Sequence, residues 1–302
     1  MTPADLTFQL DVAHWGWSIA AFLFFVGMAG MGSVAYAFVR RTAVIATIFV
    51  SLVVGLLLVV SHLGRWWNLP RTLFLMVRDL ELNFGSWMLI GITVLSIHLV
   101  LALIALVAHL PFLTKRLPWL AWTERVDASR AFLGAFAFVG FFATVYSGFL
   151  ITQAVGIPLW NNALIPVLWV ISGSIAAIAM LELLYVVGAV DAKVSSFGVR
   201  LGMVLDGMKL LAVLGFLHVA TSYGSAGARY GATLMTSGDL AWMTWVGVVG
   251  VGILVPLAIG AYTLLREKNK ALLTVSALSA LVGVFFLRAT VLLAGTFEPL
   301  VL

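Results

Sequence analysis

Apolar positions in this chain do not alternate with polar ones; they run on for whole membrane thicknesses. Eight stretches, approximately 15–39, 43–63, 84–110, 130–152, 163–189, 200–220, 240–265 and 271–295, are predominantly hydrophobic. Each meets the roughly 20 residues that an α-helix needs to cross the hydrocarbon core. None shows the two-residue period of a membrane barrel strand. The pattern predicts an all-α integral membrane protein with eight transmembrane helices, in a single membrane domain spanning 1–302.

The segments between the runs carry their own signals. In 66–82, Pro70 opens a short apolar stretch followed by Arg78, Asp79 and Glu81. It is too short and too charged to cross, so it is expected to lie as an interfacial helix in the headgroup plane. The Gly/Ser-rich stretch 221–239 reads as a mobile loop. The corner 153–162, with Gly156 and Pro158, separates two groups of four helices. No sequence repeat relates the halves.

Composition confirms the class and narrows the chemistry. Hydrophobic residues make up 63% of the chain and charged residues 10%, with a mean hydropathy of +1.14. A soluble domain carries about 25% charge. The pI near 9.7 need reflect only basic loops, and no nucleic-acid partner is implied. The chain has no cysteine. It therefore cannot itself ligate an ordinary iron–sulfur cluster or attach a c-type haem.

Lys and Arg divide unequally between the two sides. Eleven follow runs 1, 3, 5 and 7, against four (Arg65, Arg71, Arg78 and Arg229) on the other side. The positive-inside rule then places both termini outside the cytoplasm. The N-terminal tail carries Asp5 and Asp11 with no basic residue. It lacks a positive n-region and a cleavage site, so the first run is expected to stay in the mature protein.

Ionisable residues within membrane helices default to a functional hypothesis. Near the outer face lie His14, His62, Tyr146 and His218, with Asp11 one turn before His14; deeper lie His98, Glu182, Asp206, Lys209 and Arg288. A quinone headgroup needs donors to two carbonyls, a proton source and an opening to lipid. Histidine and tyrosine suit those roles, and His14 and Tyr146 would fit opposite ends of such a ring, roughly 10–12 Å apart with polar contacts near 3 Å. The competing reading makes both of them interfacial anchors, like Trp15, Trp17, Trp66, Trp67 and Trp160. A b-type haem would need a His pair at matching depth, and His62 with His218 is the available combination. Asp206 and Lys209, spaced i, i+3 near the predicted start of run 6, can neutralise each other and snorkel. Glu182 has no neighbour in sequence, so Glu182, Asp206 and Arg288 form a possible proton path. Gly27, Gly30 and Gly32 read as helix packing.

Three motifs in order carry a resemblance: His14–Gly30 (HWGWSIAAFLFFVGMAG), His62–Arg65 (HLGR), and Tyr146–Asn162 (YSGFL…PLWNN). They resemble the NrfD/PsrC-type membrane subunits of polysulfide reductase. The resemblance implies two four-helix bundles in a prokaryotic cytoplasmic membrane, exchanging electrons with menaquinone or ubiquinone near the outer face without a haem of their own. It implies an extracytoplasmic ferredoxin-like iron–sulfur subunit as partner and a molybdopterin catalytic subunit beyond it. His14 and Tyr146 match the family's quinone-site pair, and Asp11 its polar companion. Arg65, Trp66, Trp67, Arg71 and Arg78 are the expected partner contacts. The chain departs from the family at His62, where an acid is common, and His62 would stand at the outer end of any proton path. The rival class is a small-solute or ion transporter, which broken helices or inverted repeats would favour; neither is evident in the sequence.

Overall fold

A computed structural model describes residues 13, 15–78, 85–266 and 269–298. Eight helices among them are long and apolar enough to cross a membrane: α1 (Trp17–Tyr36), α2 (Thr42–His62), α3 (Trp87–Ala108), α4 (Arg130–Thr152), α5 (Leu164–Val186), α6 (Ala192–Ser222), α7 (Met243–Leu265) and α8 (Lys270–Leu293). Three of them start on side-chain caps. Ser86 accepts from Leu89 N–H, Ser129 from Phe132 N–H, and Asn269 from Ala271 N–H. Each supplies an acceptor to a helix-end donor that has no intrahelical partner.

Packing closes two rings. Helices α1, α2, α3 and α4 each touch their neighbours around a first four-helix bundle, and α5, α6, α7 and α8 do so around a second. Contacts of α1 with α5 and α8, and of α4 with α5, join the two. Small residues set how closely helices approach. A Cβ on Gly30 of α1 would collide with the Gly140 carbonyl oxygen of α4, so these backbones meet directly. The spaces beside Gly27 and Gly32 are also filled by neighbours, Arg288 and Ile48, in keeping with a packing role.

Two predicted boundaries are corrected. Helix α6 begins at Ala192, eight residues before the apolar run. Lys193 and Arg200 interrupt hydropathy without interrupting the helix. At 31 residues α6 is about 46 Å long, more than the hydrocarbon core requires. Asp206 and Lys209 consequently sit mid-helix, and neither snorkels: they are 3% and 0% exposed. The stretch read as a mobile loop contains a helix, Ala226–Thr236. The Glu298 carboxylate accepts from Ser225 Oγ and Gly227 N–H at its start, where negative charge is favoured.

The described part of the segment expected at the interface forms a 3₁₀ turn at Trp66–Asn68 followed by the helix Leu69–Arg78; residues 79–84 lie outside the described residues. Helix α7 is also less regular than its sequence suggested. Met243–Leu254 winds as a π-helix before the chain returns to α geometry at Val255. Pro256 lies at that junction and has no N–H to offer the carbonyl four residues earlier, that of Gly252.

Candidate functional site

Near the C-terminal end of α4, the helix turns Tyr146 inward on the buried face that also holds Ala143, Thr144 and Ser147. The phenol is 4% exposed. Its space exists because α3 carries Gly91 opposite: a Cβ there would collide with the Tyr146 hydroxyl. The Trp87 ring stacks on Tyr146 at 6.2 Å, and Phe149 stacks on Trp87 at 5.5 Å. Phe149 is exposed on the outside of the bundle. A run of flat rings thus leads from a buried hydroxyl to the surface that lipid would cover. Gly91 and Trp87 were not singled out from sequence, although a glycine one turn into an otherwise bulky helix start was a signal for close approach.

His14 and Asp11 lie outside the described residues. Their neighbour Ala13 donates its N–H to Gly295 O at 3.0 Å, and Trp15 packs on Trp160 at 5.5 Å. Trp160 in turn donates Nε1–H to Val291 O. Arg65, Trp66, Trp67, Arg71 and Arg78 are all exposed at the same end of the molecule as Tyr146.

The two outer histidines do not come together. His62 lies at the end of α2 with its Nδ1 3.3 Å from Ser18 Oγ, and His218 on α6 lies 3.3 Å from Ser222 Oγ. They belong to different bundles, whose α2 and α6 are not packed against each other.

The deep polar residues separate into two places. Within the second bundle, Glu182 and Asp206 line one cavity of about 30 Å³ together with Met203, Pro256, Gly260 and Ser276. That volume accommodates a water, which needs about 10–15 Å³. Asp206 also pairs with Lys209 at 3.0 Å, and Lys209 Nζ donates to Gly252 O at 2.7 Å. The ammonium therefore caps the carbonyl that Pro256 deprives of its usual donor. Arg288 stands apart from that cavity, at the junction of α1, α5 and α8. It donates to Ser172 Oγ at 2.9 Å and to Trp169 O at 3.4 Å, and lies 5.4 Å over the Trp169 ring. Neither Arg288 nor His62 lines the Glu182–Asp206 cavity.

Eight apolar helices enclosing these buried polar groups define a multi-pass membrane protein. The family described as "Polysulphide reductase, NrfD" matches residues 5–299, and the chain belongs to that family. It is 28% identical to "Protein NrfD" of Escherichia coli (strain K12), over 95% of this chain and 96% of that protein. It is 25% identical to the C subunit of the polysulfide reductase of Wolinella succinogenes, again over 95% and 96%. Membership makes it a membrane subunit of a respiratory oxidoreductase. The sequence resemblance is thereby established over nearly the whole chain.

Proposed function

We propose that this chain is the quinone-reactive subunit of its complex, passing electrons between membrane quinone and an iron–sulfur subunit docked over the Tyr146 end. The observation that carries this reading is the buried Tyr146 hydroxyl at the foot of the Trp87–Phe149 stack. A flat, half-polar ring can enter from lipid between aromatic faces and meet a hydroxyl donor at depth. His14 and Asp11 complete the headgroup contacts in this proposal. The chain has no cysteine for a cluster of its own, so a ferredoxin-like partner carries the electrons onward and a molybdopterin subunit uses them. Menaquinone or ubiquinone is the substrate class.

The basic end of the molecule faces the cytoplasm in this proposal, which sets Tyr146 and the Arg65–Arg78 segment on the outer side. Arg65, Trp66, Trp67, Arg71 and Arg78 then offer the partner the residue types that dominate interface hot spots. Glu182, Asp206 and the water-sized cavity between them form the core of a proton path in the second bundle. Arg288 holds the bundles together at its edge.

The π-helical stretch of α7 is the irregular helix that a transporter reading would ask for. Its freed carbonyl, however, is taken by Lys209, so a tethered cation stands where a transported one would bind. A photoreactive quinone tests the function directly. In membranes containing the whole complex it should label peptides from 84–91 and 143–152 of this chain, and excess unlabelled quinone should compete. Labelling confined to other segments would contradict the assignment.

A further inference from the structure

The face of α3 turned into the first bundle carries Gly91, Leu95, His98, Ala102 and Ala105, and the helix ends on His109. Steps of seven and eleven residues, two and about three helical turns, keep Gly91, His98 and His109 on one stripe, spanning about 27 Å. One close approach and two polar contacts lie along that stripe. The Tyr146 hydroxyl meets Gly91 at one end. In the middle, His98 Nε2 lies 2.7 Å from Ser33 Oγ. At the basic end, His109 Nε2 lies 2.8 Å from Tyr36 Oη, which is also 2.8 Å from Asp127 Oδ1.

Ser33 has a single hydrogen; with it on Ala29 O at 3.0 Å, His98 is the donor and places its Nε2–H on Ser33. Its Nδ1 is then a bare lone pair, fully buried and without a hydrogen-bond partner. Tyr36 likewise gives its one hydrogen to Asp127, so His109 donates Nε2–H to Tyr36, and its Nδ1 faces Thr42 Oγ1 at 3.3 Å. Arg40 Nη2 is bonded to the other Asp127 oxygen. Burial pushes the Asp127 carboxyl up, but hydrogen bonds from His109, Arg40 and Tyr36 outweigh it and hold it below the usual carboxylate range. The network opens onto a pocket of about 670 Å³ lined by Arg40, His109, Thr114, Lys115, Glu124 and Asp127. Between His98 and His109 the buried residues of the stripe are alanines, and the Phe136 ring touches both His98 and Tyr36. The functional readings above use none of these groups.

We propose that this stripe is a proton route through the first bundle, running from the basic-end pocket through Asp127, His109 and Tyr36 to His98, and on toward Tyr146. It rests on the quinone reading, since the quinone is what consumes or releases the protons. Quinone takes two electrons from the iron–sulfur partner and two protons to become quinol, and the reverse reaction returns both. His98 serves as the midway station by accepting a proton on Nδ1 and passing the one on Nε2 to Ser33 Oγ, whose own hydrogen then leaves Ala29 O for water on the way to Tyr146. In this proposal water must cross the alanine stretch at Ala102 and Ala105, both fully buried. The route is separate from the Glu182–Asp206 cavity, which lies in the other bundle.

The test uses the whole complex in vesicles, with a pH dye in the compartment facing the basic end and decyl-ubiquinone and its menaquinone counterpart as probes. In wild type, that compartment should lose protons as quinone is reduced, or gain them as quinol is oxidised. His98→Gln keeps a donor for Ser33 but cannot accept a proton, and Asp127→Asn neutralises the entry. Each should lower quinone turnover and proton movement from that side about tenfold or more, with KM for quinone unchanged. Should His98→Gln fail to assemble, Asp127→Asn decides. Wild-type turnover with protons drawn from the Tyr146 side overturns the route alone, as does a wild-type rate and proton ratio in Asp127→Asn. Absence of quinone turnover in wild type would overturn the quinone reading beneath it.

Discussion

Lys209 shows how a single buried side chain can hold charge and backbone together. It is fully buried, yet it meets Asp206 at 3.0 Å and the Gly252 carbonyl at 2.7 Å. Lys209→Met strands a buried carboxylate and a buried carbonyl, and breaking such a pair costs about 3–5 kcal/mol. Replacing both partners, as Asp206→Leu with Lys209→Met, removes the stranded charge and leaves only the carbonyl, at about 1–3 kcal/mol. Thermal unfolding of the purified complex in detergent should therefore find the double variant more stable than Lys209→Met alone. Equal losses would mean that the ion pair contributes nothing beyond packing. The i, i+3 spacing made the Asp206–Lys209 contact legible in the sequence. Gly252 was legible only in hindsight, through Pro256 four residues later.

At the scale of helices, the sequence revealed what hydrocarbon thickness enforces and little of what side chains negotiate. The eight spans were readable because each must bury its backbone polar groups in a continuous apolar helix. The start of α6 was not, because Lys193 and Arg200 break the apolar run in a helix longer than the hydrocarbon core requires. The π-helical turns of α7 were hidden for a different reason. They answer to Pro256 and to a lysine on α6, a contact between helices far apart in sequence. The helix Ala226–Thr236 was masked by its Gly and Ser content, and Glu298, 71 residues beyond Gly227, supplies its terminal acceptor. Tyr146 was singled out by its depth and by the family resemblance. Its berth, Gly91, and its stacking partner, Trp87, depend on the register of α3 against α4, which no local pattern encodes.

For the molecule as a whole, the two rings of four helices keep the proposed sites apart: the first holds Tyr146, the second the Glu182–Asp206 cavity. The absence of cysteine makes its orientation open to direct assay. In single-cysteine variants Arg71→Cys and Lys115→Cys, a membrane-impermeant maleimide added to intact cells should label only Arg71→Cys. Labelling of Lys115→Cys alone would invert the topology and move the proposed partner to the other side. The central claim is that Tyr146 serves a quinone, and quinol-dependent turnover of the assembled complex bearing Tyr146→Phe measures it most directly. That change deletes one oxygen and keeps the stacked ring. Loss of a donor that acts on the reacting carbonyl predicts a fall of about a hundredfold, with subunit assembly and electron transfer among the soluble partners unchanged. A wild-type rate and KM for quinol in Tyr146→Phe would contradict the account.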